Sequence, residues 1–199
     1  MPNLEPLRRQ QVPELEPVLQ AMQAALGFVP NSLLTLARRP EIVKAVVALT
    51  GAVLGGGTLA PQLKQMVGFV ASTAAGCRYC QAHTAGLAVH AGVDSAKLTA
   101  AWDFETDPNF SGAEKAALRL ARDASVVPNA ATLEHFRELR KFFAEDEVVE
   151  IVAVIALFGW FNRWNDTMAT QLEDEALQFA SRELSARGWT PGKHAPASK

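Results

Sequence analysis

Both cysteines of the chain, Cys77 and Cys80, lie in one short stretch, GCRYCQAHTAGLAVH. They are three positions apart, and His83 follows three positions later. Gly76 predicts a helix start at Cys77, and residues three apart share one face of a helix. A helix N-terminus favours the thiolate form of a cysteine, which is its reactive form. The spacing therefore predicts a redox dithiol, in which one cysteine captures the other as a disulfide and His83 handles a proton beside Cys80.

Two other interpretations of the cysteine pair remain open on spacing alone. The thiols could be buried residues of a core, because cysteine is often buried. They could also form half of a zinc site, with His83 as third ligand and His90 or a neighbouring subunit supplying the fourth, although no second C-x-x-C pair is present. We expect the redox dithiol, and we expect no metal or organic cofactor.

Composition places the chain among ordinary globular proteins and narrows its partners. It has 199 residues, of which 49% are hydrophobic and 20% are charged. The net charge of −2 favours neither a nucleic-acid partner nor a membrane surface. The N-terminus lacks the apolar segment of a secretory signal, and no apolar run reaches the roughly 18 residues of a membrane span. We expect a cytoplasmic protein, and there a C-x-x-C pair is more often catalytic or metal-binding than a structural disulfide.

Alanine-rich helical spacing, interrupted by proline and glycine, predicts an all-α protein of about 8–10 helices. We expect an extended arm at 1–13, one domain at 14–187 with its redox core at 61–92, and a mobile tail at 188–199. The predicted helices span about 14–25, 32–38, 40–54, 61–74, 77–91, 94–102, 112–125, 129–141, 145–171 and 173–187.

Residues 63–93, LKQMVGFVASTAAGCRYCQAHTAGLAVHAGV, resemble the core of the carboxymuconolactone decarboxylase-like superfamily. The resemblance is to its alkylhydroperoxidase AhpD-like, peroxidase-related branch in particular. GFVPNSLLTLARRPEIVKAV and FGWFNRWNDTMA are similar to flanking segments of that branch, so the resemblance covers about residues 20–172. It implies an AhpD-like helical array that assembles as a dimer, trimer or hexamer.

The resemblance also implies a thiol-dependent peroxidase. Redox members of the family use a Glu, a C-x-x-C pair and a His as a thiol and proton relay to reduce hydroperoxides. By position, Cys80 attacks the peroxide and Cys77 resolves the sulfenic acid to a redox-active disulfide. A protein or small-molecule thiol or dithiol then reduces the disulfide, so no further cofactor is implied.

Two relay positions depart from the family pattern. Gln65 occupies the position at which family members usually have the relay Glu, and an amide cannot shuttle a proton. In the family the relay His usually occupies the position that Thr84 holds in this chain. Here the histidine lies one residue earlier, at His83. A carboxylate from elsewhere, such as Glu150, could replace the missing acid, although Glu150 is as readily paired with Arg163.

Two further functions stay open beside the peroxidase. One is a non-redox enzyme of the carboxymuconolactone decarboxylase type, in which the cysteines are incidental. The other is a metal-binding or regulatory interaction protein. The polar NRWND segment, 162–166, predicts a buried hydrogen-bond network that fixes helix packing rather than a catalytic group.

Overall fold

The computed structural model describes residues 1–196. This part of the chain contains ten α-helices and no β-strand. This confirms the all-α prediction. The helices are α1 Glu16–Leu26, α2 Asn31–Leu36, α3 Pro40–Gly55, α4 Pro61–Ala74, α5 Arg78–His90, α6 Ser95–Thr99, α7 Gly112–Ala124, α8 Leu133–Leu139, α9 Glu145–Met168 and α10 Asp174–Glu183. Five short 3₁₀ helices accompany them, at Arg9–Gln11, Pro13–Leu15, Ala100–Asp103, Ser185–Arg187 and Gly192–His194.

Helix α4 lies at the centre of the main core and packs against α5, α7 and α9. Its contact with α9 is close because Gly68 has no side chain there. A Cβ at Gly68 would lie 2.4 Å from an edge carbon of Phe158, well inside van der Waals contact. The α4–α9 contact thus fixes the scaffold that carries the cysteines.

A glycine turn joins α4 directly to α5. Gly76 takes the left-handed conformation, with φ of 78°. The amide of Cys77 donates to the Ser72 carbonyl at 3.2 Å, and that of Gly76 donates to the Thr73 carbonyl at 3.1 Å. These bonds close the end of α4 in the pattern of a Schellman motif. Because α5 begins at once, Cys77 becomes its N-cap residue.

The N-terminal segment is packed, so the expected extended arm at 1–13 is wrong for its last part. Residues Arg9–Gln11 and Pro13–Leu15 form 3₁₀ helices. Val12 and Leu15 are buried in a second core cluster with residues of α1, α2 and α3. Burial of these two apolar side chains holds the segment against the domain.

The C-terminal segment, like the N-terminal one, is packed more closely than the sequence predicted. Helix α9 ends at Met168 rather than 171, because Ala169 takes a left-handed conformation with φ of 50°. Trp189 and His194 are buried, so the expected mobile tail is wrong for residues 188–196. Positions 197–199 of that predicted tail lie outside the described residues.

Glu150 pairs with Lys64 rather than with Arg163. Its carboxylate lies 3.0 Å from the Lys64 ammonium and accepts the Thr58 amide at 2.8 Å. The Thr58 amide and then the Lys64 ammonium lower the pKa of Glu150 to about 2, against the opposing effect of burial. Lys64 is buried and also donates to the Val53 and Gly56 carbonyls. Glu150 therefore anchors the loop before α4 and does not act beside the cysteines.

Within residues 1–196, every helix is too short or too polar to cross a lipid bilayer.

Candidate active site

The two cysteines face each other at the first turn of α5, as their spacing predicted. Both are free thiols and both are buried. The amide of Cys80 donates to Cys77 Sγ at 3.4 Å, so Cys77 is the side-chain cap of the helix. The sulfur of Cys77 thus lies where the partial positive charge of the helix end is greatest.

Cys77 is the thiol that ionises at neutral pH. Its pKa is lowered to about 6, chiefly by the hydrogen bond from the Cys80 thiol, with further contributions from His194 and the Cys80 amide. Burial opposes this effect and is outweighed. Cys77 is therefore mostly thiolate at pH 7.

Cys80 keeps its proton. Burial raises the pKa of the Cys80 thiol well above its ordinary value, and the neighbouring Cys77 raises it further. The side-chain amide of Asn165 donates to Cys80 Sγ at 3.6 Å and opposes the rise. Asn165 belongs to the polar segment near the end of α9, so part of that segment contacts a site thiol instead of serving helix packing alone.

A histidine from the C-terminal segment faces Cys77. The donor atoms of Cys77, Asp166 and His194 all lie within 4.8 Å of one another. Nδ1 of His194 is 2.7 Å from the Thr170 carbonyl, which orients the ring. Burial lowers the pKa of His194, but Cys77 and the Thr170 carbonyl raise it more, and the net change is upward. A raised imidazole pKa beside a lowered thiol pKa is the pattern of a thiolate–imidazolium pair.

His83 lies on the same helix face as Cys80 but binds a carboxylate that the sequence reasoning missed. Its Nε2 is 2.8 Å from Glu173, whose other oxygen accepts from the Tyr79 hydroxyl at 2.8 Å. Glu173 also accepts the Asn31 amide at 2.5 Å. Among the described residues, no hydrogen bond joins His83 to either thiol. No spacing signal links Glu173 to the cysteine motif, because it follows α9 in a loop.

The buried Glu173 is ionised by its partners. Burial raises its pKa, but the charge and hydrogen bond of His83 and the Asn31 amide outweigh that, so the pKa is lowered. Tyr79 stacks on His83 with ring centroids 4.3 Å apart, and burial, reinforced by Glu173, raises the pKa of the Tyr79 phenol. These side chains form a rigid polar cluster behind the dithiol.

Gln65, the position expected for a relay group, makes no such contact. Its side-chain carbonyl oxygen is buried and accepts no hydrogen bond within the described residues. Gln65 therefore lies on α4 as a packing residue, and the carboxylates near the site come from Asp166 and Glu173 instead.

Two openings flank the site. The larger, about 860 Å³, is lined by Asn162, Arg163 and Asp166 of α9 together with apolar residues. Cys77 is buried and does not line this cavity, but Asp166, which does, faces Cys77. The smaller, about 190 Å³, lies on the other side, where His83 and Phe179 are among its lining residues.

Residues 40–123 match the carboxymuconolactone decarboxylase family. A cysteine-to-alanine variant of the debrominase Bmp8, in complex with 2,3,4-tribromopyrrole, is 35% identical over 89% of this chain and 95% of its own, with a TM-score of 0.84. Apo Bmp8 is 37% identical over 86% of this chain and 92% of its own, with a TM-score of 0.81. The chain belongs to the same family as Bmp8, and its residues 40–123 carry the carboxymuconolactone decarboxylase match.

Two further solved structures share the fold at lower identity. The AhpD core of an uncharacterized peroxidase-related protein from Ralstonia eutropha JMP134 is 24% identical over 82% of this chain and 87% of its own, with a TM-score of 0.74. A peroxidase-related protein from Silicibacter sp. TM1040 is 21% identical over 88% of this chain and 91% of its own, with a TM-score of 0.75. No curated protein shows significant sequence similarity to the chain. The matches confirm the AhpD-like fold and support enzyme status, while the reaction depends on the site.

Proposed function

We propose that the protein is a dithiol-dependent reductase, in which Cys77 and Cys80 supply two electrons to a small electrophilic substrate. The observation that carries this proposal is the position of Cys77 at the N-cap of α5, beside the Cys80 thiol and the His194 ring. These neighbours lower the pKa of Cys77 to about 6, which is typical of redox cysteines and uncommon for inert buried ones.

In this proposal Cys77 attacks and Cys80 resolves. This is the reverse of the order that the family resemblance implies, and the reason is electrostatic. Cys77 carries the negative charge, whereas burial and the Cys77 charge keep Cys80 protonated. Once Cys77 is bonded to a substrate atom its charge is gone, so Cys80 ionises more readily and attacks the Cys77 sulfur. His194 supplies a proton to the substrate and takes one back from Cys80.

We favour a small halogenated aromatic compound as the substrate. Bmp8, a debrominase, is similar to this chain over nearly its whole length, and one of its structures holds 2,3,4-tribromopyrrole. The larger cavity, about 860 Å³, has room for such a ring, and one of its lining residues, Asp166, faces Cys77. Asn162 lines it, and both polar atoms of its side chain are buried without a hydrogen-bond partner within the described residues. A rotation of this side chain toward the cavity would let its amide bind a ring N–H or halogen.

The proposed reaction balances with the dithiol as its only reductant. The Cys77 thiolate attacks bromine, the carbon–bromine electron pair stays on carbon, and that carbon takes a proton from His194. Cys80 then loses its proton and attacks the Cys77 sulfur, which expels bromide and leaves a disulfide. The sum is Ar–Br plus two thiols giving Ar–H, a disulfide, a proton and bromide. An external thiol or dithiol, from a protein or a small molecule, reduces the disulfide for the next cycle.

Hydroperoxide reduction is the second candidate, favoured by the resemblance of residues 63–93 to the AhpD-like redox core. Here the Cys77 thiolate attacks the terminal oxygen, an alcohol leaves, and the sulfenic acid condenses with Cys80 to give water and the disulfide. The same two residues carry both reactions, so substrate preference has to be measured.

Parallel assays with one reduced sample separate these candidates. The protein is mixed with a brominated pyrrole or with cumene hydroperoxide, using dithiothreitol as electron donor. Bromide is measured by ion chromatography, peroxide by its consumption, and the 77–80 disulfide by mass spectrometry. Bromide release with disulfide formation supports debromination, and peroxide loss alone supports the second candidate. Turnover that persists in a double variant, Cys77→Ser with Cys80→Ser, would instead support a non-redox reaction of the decarboxylase type.

We also propose that the protein is a homo-oligomer. The outer face of α9 exposes Val149, Val152 and Trp160, which are 67%, 40% and 37% exposed. Apolar side chains aligned on one helix face favour association with another copy. Light scattering coupled to size-exclusion chromatography measures the assembly, and a single-chain mass at micromolar concentration would contradict the proposal.

A further inference from the structure

The side chains around Cys77 form a set of donors that a metal ion prefers. Cys77 Sγ, a carboxylate oxygen of Asp166 and a ring nitrogen of His194 lie within 4.8 Å of one another. They come from the start of α5, the end of α9 and the C-terminal segment, so the tertiary structure alone brings them together. Neither Cys80 nor His83 belongs to this group.

His194 is oriented as metal-binding histidines are. Its Nδ1 faces the Thr170 carbonyl at 2.7 Å, and a carbonyl only accepts, so Nδ1 carries the proton of the neutral ring. The lone pair then lies on Nε2, which is buried and makes no hydrogen bond within residues 1–196. The side chain is only 1% exposed, so this nitrogen points into the group rather than to solvent. In metal-binding histidines, the ring nitrogen that does not bind the metal usually donates its N–H to a carbonyl or carboxylate, as Nδ1 of His194 does here.

Asp166 directs one carboxylate oxygen toward Nε2 of His194. Its Oδ2 accepts from the Lys193 ammonium at 2.8 Å, while Oδ1 lies 3.6 Å from His194 Nε2. In a tetrahedral zinc site with the usual bond lengths, nitrogen and oxygen ligands lie about 3.4 Å apart. The observed separation of these two atoms is therefore close to that in a zinc site.

We propose that Cys77, Asp166 and His194 form a zinc site that removes Cys77 from redox chemistry when Zn²⁺ is bound. Thiolate, imidazole and carboxylate are the ligands of zinc, whereas Ca²⁺ and Mg²⁺ prefer oxygen ligands alone. The two anionic ligands balance the charge of the ion. Asp166 also lines the larger cavity, so the fourth position is open to water from that side.

Zinc binding and substrate reduction exclude each other at this site. A sulfur lone pair donated to Zn²⁺ is no longer available to attack an electrophile, and Cys80 is left without a partner. Binding itself does not depend on the proposed reaction. Only the inhibition of turnover rests on the proposed function, so the two claims can fail separately.

The binding test uses the full-length reduced protein and Zn²⁺ alone, titrated against a chromophoric chelator and followed by metal analysis after dialysis. We expect one zinc per chain. His194→Gln and Asp166→Asn should each weaken binding by roughly tenfold or more. His90→Gln, a change at the exposed end of α5, is the matched control and should leave affinity unchanged. Circular dichroism checks that each variant is folded.

Cobalt substitution identifies the sulfur ligand. Co²⁺ bound to a thiolate has a sulfur-to-metal charge-transfer band in the near ultraviolet. The band should persist in Cys80→Ser and disappear in Cys77→Ser. Three results would each overturn the site: less than stoichiometric zinc, an affinity that neither His194→Gln nor Asp166→Asn lowers, or a band lost in Cys80→Ser but kept in Cys77→Ser. Zinc that binds as expected without slowing thiol turnover would leave the site intact and contradict only the inhibition.

Discussion

Cys77 and His194 lie against each other, although one begins α5 and the other lies near the end of the described chain. The Thr170 carbonyl orients the His194 ring at 2.7 Å, and Asp166 faces it from α9. The effect is mutual, since the pKa of the thiol is lowered and that of the imidazole is raised. The C-terminal segment thus supplies a basic group beside Cys77 that is distant in sequence from the C-x-x-C motif.

Replacing His194 should raise the pKa of Cys77. In His194→Gln the imidazolium is lost while the side chain keeps a similar size, so the thiolate loses an opposite charge. We expect the midpoint of thiolate formation to move from about pH 6 upward by roughly 1 to 3 pH units. Ultraviolet absorbance of the thiolate, followed against pH in Cys80→Ser with and without His194→Gln, isolates Cys77 and measures the shift. The starting midpoint in this background is higher than in the unchanged protein, because the hydrogen bond from Cys80 is lost.

The control for this titration is His90→Gln in the same background, which should leave the midpoint unchanged. Because the deprotonated thiol is the reactive form, the activity of the unchanged enzyme should fall as the pH drops through about 6. In His194→Gln this fall should begin at a higher pH. An unchanged midpoint in His194→Gln would mean that His194 does not contribute to the ionisation of Cys77.

Single-cysteine variants should divide the reaction into two halves. Cys80→Ser keeps the attacking thiolate, so a stoichiometric substrate-derived adduct or sulfenic acid should form on Cys77 without turnover. Cys77→Ser leaves only the protonated Cys80 and should lose at least about 100-fold in rate at pH 7, because burial keeps that thiol unreactive. Intact-protein mass spectrometry and a sulfenic-acid probe measure both. An adduct found on Cys80 in Cys77→Ser, with none on Cys77 in Cys80→Ser, would restore the order implied by the family.

The helices and the dithiol could be predicted from sequence because their determinants are local. Pro61 begins α4 and Gly76 separates it from α5, and both signals stand in the printed sequence. The Cys77–Cys80 contact follows from helical geometry alone. Boundaries failed where tertiary contacts decide them, as at Ala169, whose left-handed conformation ends α9 early.

The charged partners of the thiols could not be predicted in the same way. His194 and Glu173 reach the site through loops, and no periodicity places a loop residue against a helix start. The expectation of a mobile tail rested on its terminal position, and it did not anticipate the burial of Trp189, which holds the segment that carries His194. His83 follows Cys80 by three positions, but its hydrogen-bond partner is Glu173, which no spacing in the sequence predicts.

Glu173→Gln should destabilise the fold at neutral pH. An amide keeps the shape but cannot accept hydrogen bonds at both of its heavy atoms from Tyr79, His83 and Asn31. We expect a loss of roughly 1–3 kcal/mol in the free energy of unfolding, the cost of leaving a buried group unsatisfied. Urea denaturation measures it, and Glu175→Gln at a nearby exposed position is the matched control.

The sign of the pH dependence follows from the lowered pKa of Glu173. A carboxyl with a lowered folded-state pKa stabilises the protein above its ordinary pKa of 4.5 and loses that contribution as pH falls through its folded value. The difference between Glu173→Gln and the unchanged protein should therefore shrink in acid. A difference that stays constant from pH 7 to the acid limit would mean that packing, not charge, holds this cluster.

Gly68→Ala should destabilise the α4–α9 contact. The added methyl would lie 2.4 Å from a ring carbon of Phe158, so the ring or the helices must move. We expect a loss of about 1–3 kcal/mol, the usual cost of overpacking a core. Gly51→Ala on α3 is the matched control, because its Cβ meets nothing within 4 Å and helix propensity should stabilise it by about 0.5–1 kcal/mol. Thermal and urea unfolding of the two variants should thus shift in opposite directions. Equal small shifts would show that Phe158 rotates away freely and that close packing here does not fix the scaffold of the dithiol.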